Sequence, residues 1–192
     1  MARVMALVAF VLMAASLSDG KMTTTGSPTE FVRSSCGATR YPDLCFRSLA
    51  SYAPAVRHSA RQLARAALSV SADRARSASA YVAREAAAAS SAGRSSREAG
   101  AVQDCLDNMA DSVDRLRESA EEMGRMGRAG STSFAWHMAN VRTWCSAALT
   151  DENTCLDSLT EHGSESLRAA VRPKVLEVAQ VTSNALALVN RV

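Results

Sequence analysis

Between Pro54 and Pro173 the chain carries no proline. Proline removes a backbone donor and clashes with the preceding turn, so helix interiors disfavour it. A stretch this long without one is open to uninterrupted helices. Its glycines fall in groups: Gly93 and Gly100, then Gly124, Gly127 and Gly130, then Gly163. Such groups mark turns between helices. They divide the chain into four segments, roughly 57–92, 101–123, 131–162 and 164–191. None shows the period-two alternation of a half-buried strand.

The second segment has the clearest pattern. Val102, Met109, Leu116 and Met123 recur every seven residues, with Cys105 or Leu106, Val113 and Ala120 between them. This is the apolar stripe of a bundle helix. Ser96 stands at its expected N-cap. Leu63, Ala67, Val70, Ala78 and Val82 make a stripe in the first segment. Phe134, Met138, Val141, Cys145, Ala148 and Leu149 make one in the third, before a polar break over 150–154. Val171, Val175, Val178, Thr182, Ala185, Val189 and Val192 make the fourth, where Pro173 either starts or kinks the helix. Aromatics are 5% of the 192 residues and 37 are alanine, which suits closely packed helices. The expected fold is all-α: an up-down four-helix bundle over 55–192.

Residues 29–52 form a separate unit. Pro42 is placed at the first position of a short helix, and Cys36 and Cys45 flank the turn before it. Helices this short are unstable alone, so a disulfide-stapled helical hairpin is expected. Five cysteines with one unpaired allow fifteen two-bridge patterns. Cys36 and Cys45 bracket one turn. Cys105 and Cys145 lie on the apolar stripes of neighbouring segments. These pairs are the expected bridges, leaving Cys155 as a buried free thiol.

At the N-terminus, Arg3 precedes the uncharged run Val4–Ala15, followed by small and polar residues. This is the layout of a secretory signal peptide, with cleavage expected near residues 18–20. The run is too short to span a bilayer, and no other stretch is long and apolar enough. A secreted protein with no membrane partner is therefore expected. The formal net charge of +3 is small for a nucleic-acid binder. Twenty of the 22 basic residues are Arg, spread along the chain without a run, so no nucleic-acid partner is expected.

Catalytic motifs are missing: no nucleophile elbow, no dinucleotide-binding loop and no P-loop. His58, His137 and His162 lack a ligand at i+3 or i+4, so no metal is expected. Asp104, Asp107, Asp111, Asp114, Glu118 and Glu121 fall on the outward face of the second helix. An exposed carboxylate row is a solvated face or a contact surface for a basic partner, not an acid–base pair, which needs a cleft. Neither catalysis nor a small-molecule cofactor is expected.

Four motifs resemble one known family. Cys36-Gly-Ala-Thr-Arg-Tyr41-Pro42-Asp-Leu-Cys45 resembles the N-terminal motif of the plant invertase and pectin methylesterase inhibitors. Asp104-Cys105-Leu and Asp111-Ser-Val-Asp114-Arg-Leu116 are similar to their second bundle-helix motif. Trp144-Cys-Ser146-Ala-Ala-Leu-Thr150, with Thr154-Cys155-Leu-Asp157, matches their third, and Thr182-Ser183-Asn184-Ala185 their last. The resemblance covers residues 29–192. It implies a stapled hairpin before a four-helix bundle, bridges Cys36–Cys45 and Cys105–Cys145, and a free Cys155. It implies a non-enzymatic wall or vacuolar protein that occludes the cleft of a carbohydrate-active enzyme in a one-to-one complex; with the signal peptide, an extracellular place in the apoplast or cell wall is expected. Thr132-Ser133-Phe134 stands where invertase inhibitors carry Pro-Lys-Phe, and the Trp144–Thr150 run resembles the pectin methylesterase inhibitor branch. Pectin methylesterase is therefore the expected partner, with acid invertase the alternative. The chain stops after the last helix, as a stand-alone inhibitor would. The expected contact residues are Asp107, Asp111, Asp114, Glu118 and Glu121.

Overall fold

The structure is a computed structural model, and it describes residues 26–90 and 95–192. The expected signal peptide over residues 1–20 lies outside them. Seven α-helices follow one another among the described residues: α1 (Pro28–Cys36), α2 (Pro42–Leu49), α3 (Ala53–Val56), α4 (Ala60–Ser90), α5 (Ser96–Arg125), α6 (Thr132–His162) and α7 (Glu165–Val189), with a 3-10 turn Ala50–Tyr52 after α2. The described residues contain no strand.

Each long helix begins at a serine whose hydroxyl accepts a backbone N–H three residues on. Ser59 caps α4 at 3.2 Å, Ser95 caps α5 at 3.2 Å, Ser131 caps α6 at 3.1 Å and Ser164 caps α7 at 3.4 Å. Each cap satisfies one of the donors a helix start leaves open. The α5 cap is Ser95, one residue before the expected Ser96. Pro173 lies inside α7 without ending it. The expected break over 150–154 is absent too: α6 runs through it.

The long helices pack as a ring, α4 on α5, α5 on α6, α6 on α7 and α7 on α4, which is the up-down bundle. The α4 stripe of Leu63, Ala67, Val70, Ala78 and Val82 is buried, as are Val171, Val175, Val178, Ala185 and Val189 of α7. In α5, Ser112 and Ser119 are buried, while Val113 and Ala120 are only half-buried. Small hydroxyl residues at these positions let α6 approach closely.

The hairpin packs on the α4 and α7 side of the bundle. Asn184, 2% exposed, fastens it. Its Nδ2 donates to the Tyr41 carbonyl at 2.9 Å and its Oδ1 accepts from the Tyr41 N–H at 3.0 Å. The Tyr41 N–H thereby gains its acceptor, and the Tyr41 carbonyl, which also accepts from Cys45 N–H at 2.9 Å, gains a second donor. Cys36 and Cys45 are bridged with Cα atoms 5.5 Å apart.

The second bridge corrects the sequence expectation. It joins Cys105 to Cys155, with Cα atoms 4.1 Å apart, and Cys145 is the buried free thiol. The reason is antiparallel register. The turn between α5 and α6 sets residue 105 beside 155 and residue 122 beside 137. Cys145 lies ten residues before Cys155 on the same helix, about 15 Å up the axis at 1.5 Å per residue.

Candidate functional site

Chemistry-bearing residues converge in three places: the bundle interior, the α5–α6 seam and the outer face of α5. In the interior, Glu152 is fully buried on α6. Its Oε1 accepts from Ser112 of α5 at 2.7 Å and from Thr182 of α7 at 2.9 Å, while Oε2 has no protein partner. Burial pushes the carboxyl up to about 8 against the two hydroxyl donors, and Asp151 adds to the rise. Burial, and then the neighbouring Glu152, pushes the Cys145 thiol up to about 12. A thiol held protonated and buried is a packing group, not a nucleophile. Glu152 was hidden in sequence by the apparent polar break. Extending the α6 heptad from Met138 and Cys145 by seven would have found it.

Charged pairs line the α5–α6 seam. Arg115 Nε lies 2.8 Å from Asp151 Oδ2 and Arg115 Nη2 lies 3.8 Å from Asp111. Burial raises the Asp151 carboxyl, and Arg115 opposes that rise. At the other end Glu122, 4% exposed, accepts from Asn140 at 3.0 Å and meets His137 Nδ1 at 2.8 Å. These contacts, Asn140 first, hold its carboxyl below the usual carboxylate range. Trp136, 61% exposed, meets the His137 ring edge-on with centroids 5.0 Å apart. The sequence reading passed over this exposed ring.

Asp104, Asp107, Asp111, Asp114, Glu118 and Glu121 are all exposed on α5. Asp107 accepts from Gln103 at 2.8 Å, and Glu121 pairs with Arg125 at 3.4 Å. Asp104, Asp114 and Glu118 form no ion pair within the described residues. The fold concentrates this charge. α5 and α6 carry twelve Asp or Glu against five Arg, a formal −7, whereas α4 and α7 carry eight Arg or Lys against four acids, a formal +4. The ring order makes these opposite sides of the bundle. The even spread of Arg along the sequence conceals this dipole.

No group of three or more His, Cys, Asp or Glu within the described residues is arranged to hold a metal ion. No helix there is long and apolar enough to cross a membrane.

Residues 30–188 match the family described as Plant invertase/pectin methylesterase inhibitor, and the chain belongs to that family. The family is one of proteinaceous inhibitors rather than of enzymes. The chain is 47% identical over 165 residues to Pectinesterase inhibitor 9 of Arabidopsis thaliana, covering 84% of this chain and 80% of that protein. It is 41% identical over 162 residues to the 21 kDa protein of Daucus carota, covering 84% and 82%. Pectinesterase 3 of Phaseolus vulgaris matches at 30% identity over 91% of this chain but 29% of its own length. A crystal structure of a mutant form of an Arabidopsis pectin methylesterase inhibitor shares the fold. Its TM-score is 0.62 at 19% identity, over 86% of this chain and 97% of that one.

Proposed function

We propose that this chain is a secreted inhibitor of pectin methylesterase that acts by occupying the enzyme's pectin-binding cleft in a one-to-one complex. The observation that carries the reading is the 47% identity to a protein named pectinesterase inhibitor, over most of both chains. That several relatives bear this name favours pectin methylesterase over acid invertase as the target. The mechanism needs no chemistry of the inhibitor's own. The cleft of an enzyme that processes a uronate polymer presents groups suited to carboxylates. The row of Asp107, Asp111, Asp114, Glu118 and Glu121 offers carboxylates at helical spacing on a rigid support. Long-range attraction speeds the encounter, while an aromatic such as Trp136 supplies anchoring area.

The test is titration of the purified protein into plant pectin methylesterases and, separately, acid invertases at acidic pH. Inhibition of at least one pectin methylesterase and of no invertase supports the reading. Inhibition of invertase alone replaces it with the other branch.

A further inference from the structure

A groove runs along the side of the bundle opposite α5 and α6. At one end Arg74, Ser77, Tyr81 and Arg84 of α4 face Lys174 and Glu177 of α7 across about 260 Å³. Arg74 and Ser77 also line a second hollow of about 320 Å³, which continues to Ser48, Ser51 and Tyr52. The lining of the two runs from Val70 to Arg84 along α4, about 21 Å at 1.5 Å per residue.

Its chemistry differs from that of an ordinary helix seam. Two tyrosine rings are spaced along it, and Tyr52 is 38% exposed. Serine hydroxyls lie between them. Ser48, 9% exposed, carries a hydroxyl with no partner in the protein; natural structures rarely leave such a group unsatisfied. The carboxylates nearby are largely committed. Glu177 pairs with Arg74, Asp73 with Arg76 at 2.9 Å, and Glu85 lies beside Tyr81. Arg84 sits 5.6 Å from the Tyr81 ring, and both Arg84 and Lys174 are exposed without an ion pair among the described residues. Aromatic faces, hydroxyls and unpaired cations in one elongated groove fit a chain of sugar acids.

From this we infer that the α4–α7 groove binds an acidic polysaccharide, a polyuronate with free carboxylates, while α5 and α6 remain available to the enzyme. Rings stack on Tyr52 and Tyr81, hydroxyls meet the exposed Ser51 and Ser77, and carboxylates meet Arg84 and Lys174. The choice of a wall uronate as ligand rests on the function proposed above, because a pectin methylesterase converts neutral methyl esters into such carboxylates. The inhibitor would thus be held on the de-esterified stretches its target produces.

The experiment measures binding by calorimetry at low salt, without enzyme, using de-esterified oligogalacturonate and methyl-esterified pectin fragments of equal length. The de-esterified chain is expected to bind at least tenfold more tightly. Arg84→Glu with Lys174→Glu should weaken it at least tenfold, and Tyr52→Ala severalfold. Arg97→Glu with Arg128→Glu makes the same change in net charge away from the groove and should cost less than threefold. Inhibition of pectin methylesterase by the Arg84/Lys174 variant should match the parent. Equal losses in the two double variants would reduce the effect to diffuse charge and overturn the groove. No binding of oligogalacturonate, or tighter binding to anionic lipid vesicles or RNA, would overturn the ligand. A protein that binds oligogalacturonate but inhibits no pectin methylesterase would leave the groove standing and remove the inhibitor reading.

Discussion

Replacing Glu152 by Gln should separate the stability curves of parent and variant with pH. The carboxyl titrates near 4.5 in the unfolded chain and at about 8 in the native bundle. Because the folded value is raised, the native state holds the proton more tightly. The contribution of this group to stability is greatest below pH 4.5, falls as pH rises towards 8, and levels off above. In that window the slope is about −1.4 kcal/mol per pH unit for one proton. From pH 4.5 to 8 the loss approaches about 5 kcal/mol, a large share of a typical domain's 5–15 kcal/mol. Gln keeps the shape and can accept from Ser112 and Thr182, standing in for the protonated acid. Urea unfolding followed by circular dichroism at pH 5, 6.5 and 8 reads the difference. At pH 5 the two should agree within about 1 kcal/mol, and by pH 8 Glu152→Gln should be more stable by roughly 3–5 kcal/mol. Curves that stay parallel across this range would refute the placement of a protonated carboxyl in the core.

Cys105→Ser should cost about 4 kcal/mol, since its bridge closes a loop of 50 residues. Cys145→Ser should cost less, about 1–2 kcal/mol for a hydroxyl in an apolar site, and non-reducing peptide mapping should find Cys105 joined to Cys155. Native Cys145 should resist alkylation until denaturant is added. Asn184→Leu should release the Tyr41 turn at a cost of about 2–3 kcal/mol for two lost hydrogen bonds, seen as a lower Tm and faster proteolysis between α1 and α2. Asp111→Lys with Asp114→Lys should slow association with a basic pectin methylesterase and flatten its salt dependence in stopped-flow measurements. An unchanged rate would make the carboxylate row only a solvated face.

The helices were legible because their punctuation is local. Proline spacing, grouped glycines and heptad stripes report on the segment that carries them. The misread features depend on partners far away in sequence. Cys105 and Cys145 share a stripe character, but only the antiparallel register shows that they sit at different heights. Continued from Met138, the α6 heptad reaches Glu152 and Cys155, and a charged residue there resembles a break until Ser112 and Thr182 supply its donors. Ser112 and Ser119 look like surface residues, yet they face the core because the α5–α6 approach leaves room for little more. The acidic row was visible from period alone. The opposing basic side was not, because α4 and α7 lie at opposite ends of the bundle sequence and become neighbours only when the ring closes.

The most direct test of the central claim is the stoichiometry and competition of inhibition. A fixed concentration of plant pectin methylesterase is titrated with the purified protein at acidic pH, at several pectin concentrations. Activity falling linearly to zero at one inhibitor per enzyme under tight-binding conditions, with relief as pectin rises, is the predicted result. Full activity at a large molar excess, across a panel of pectin methylesterases, would contradict it.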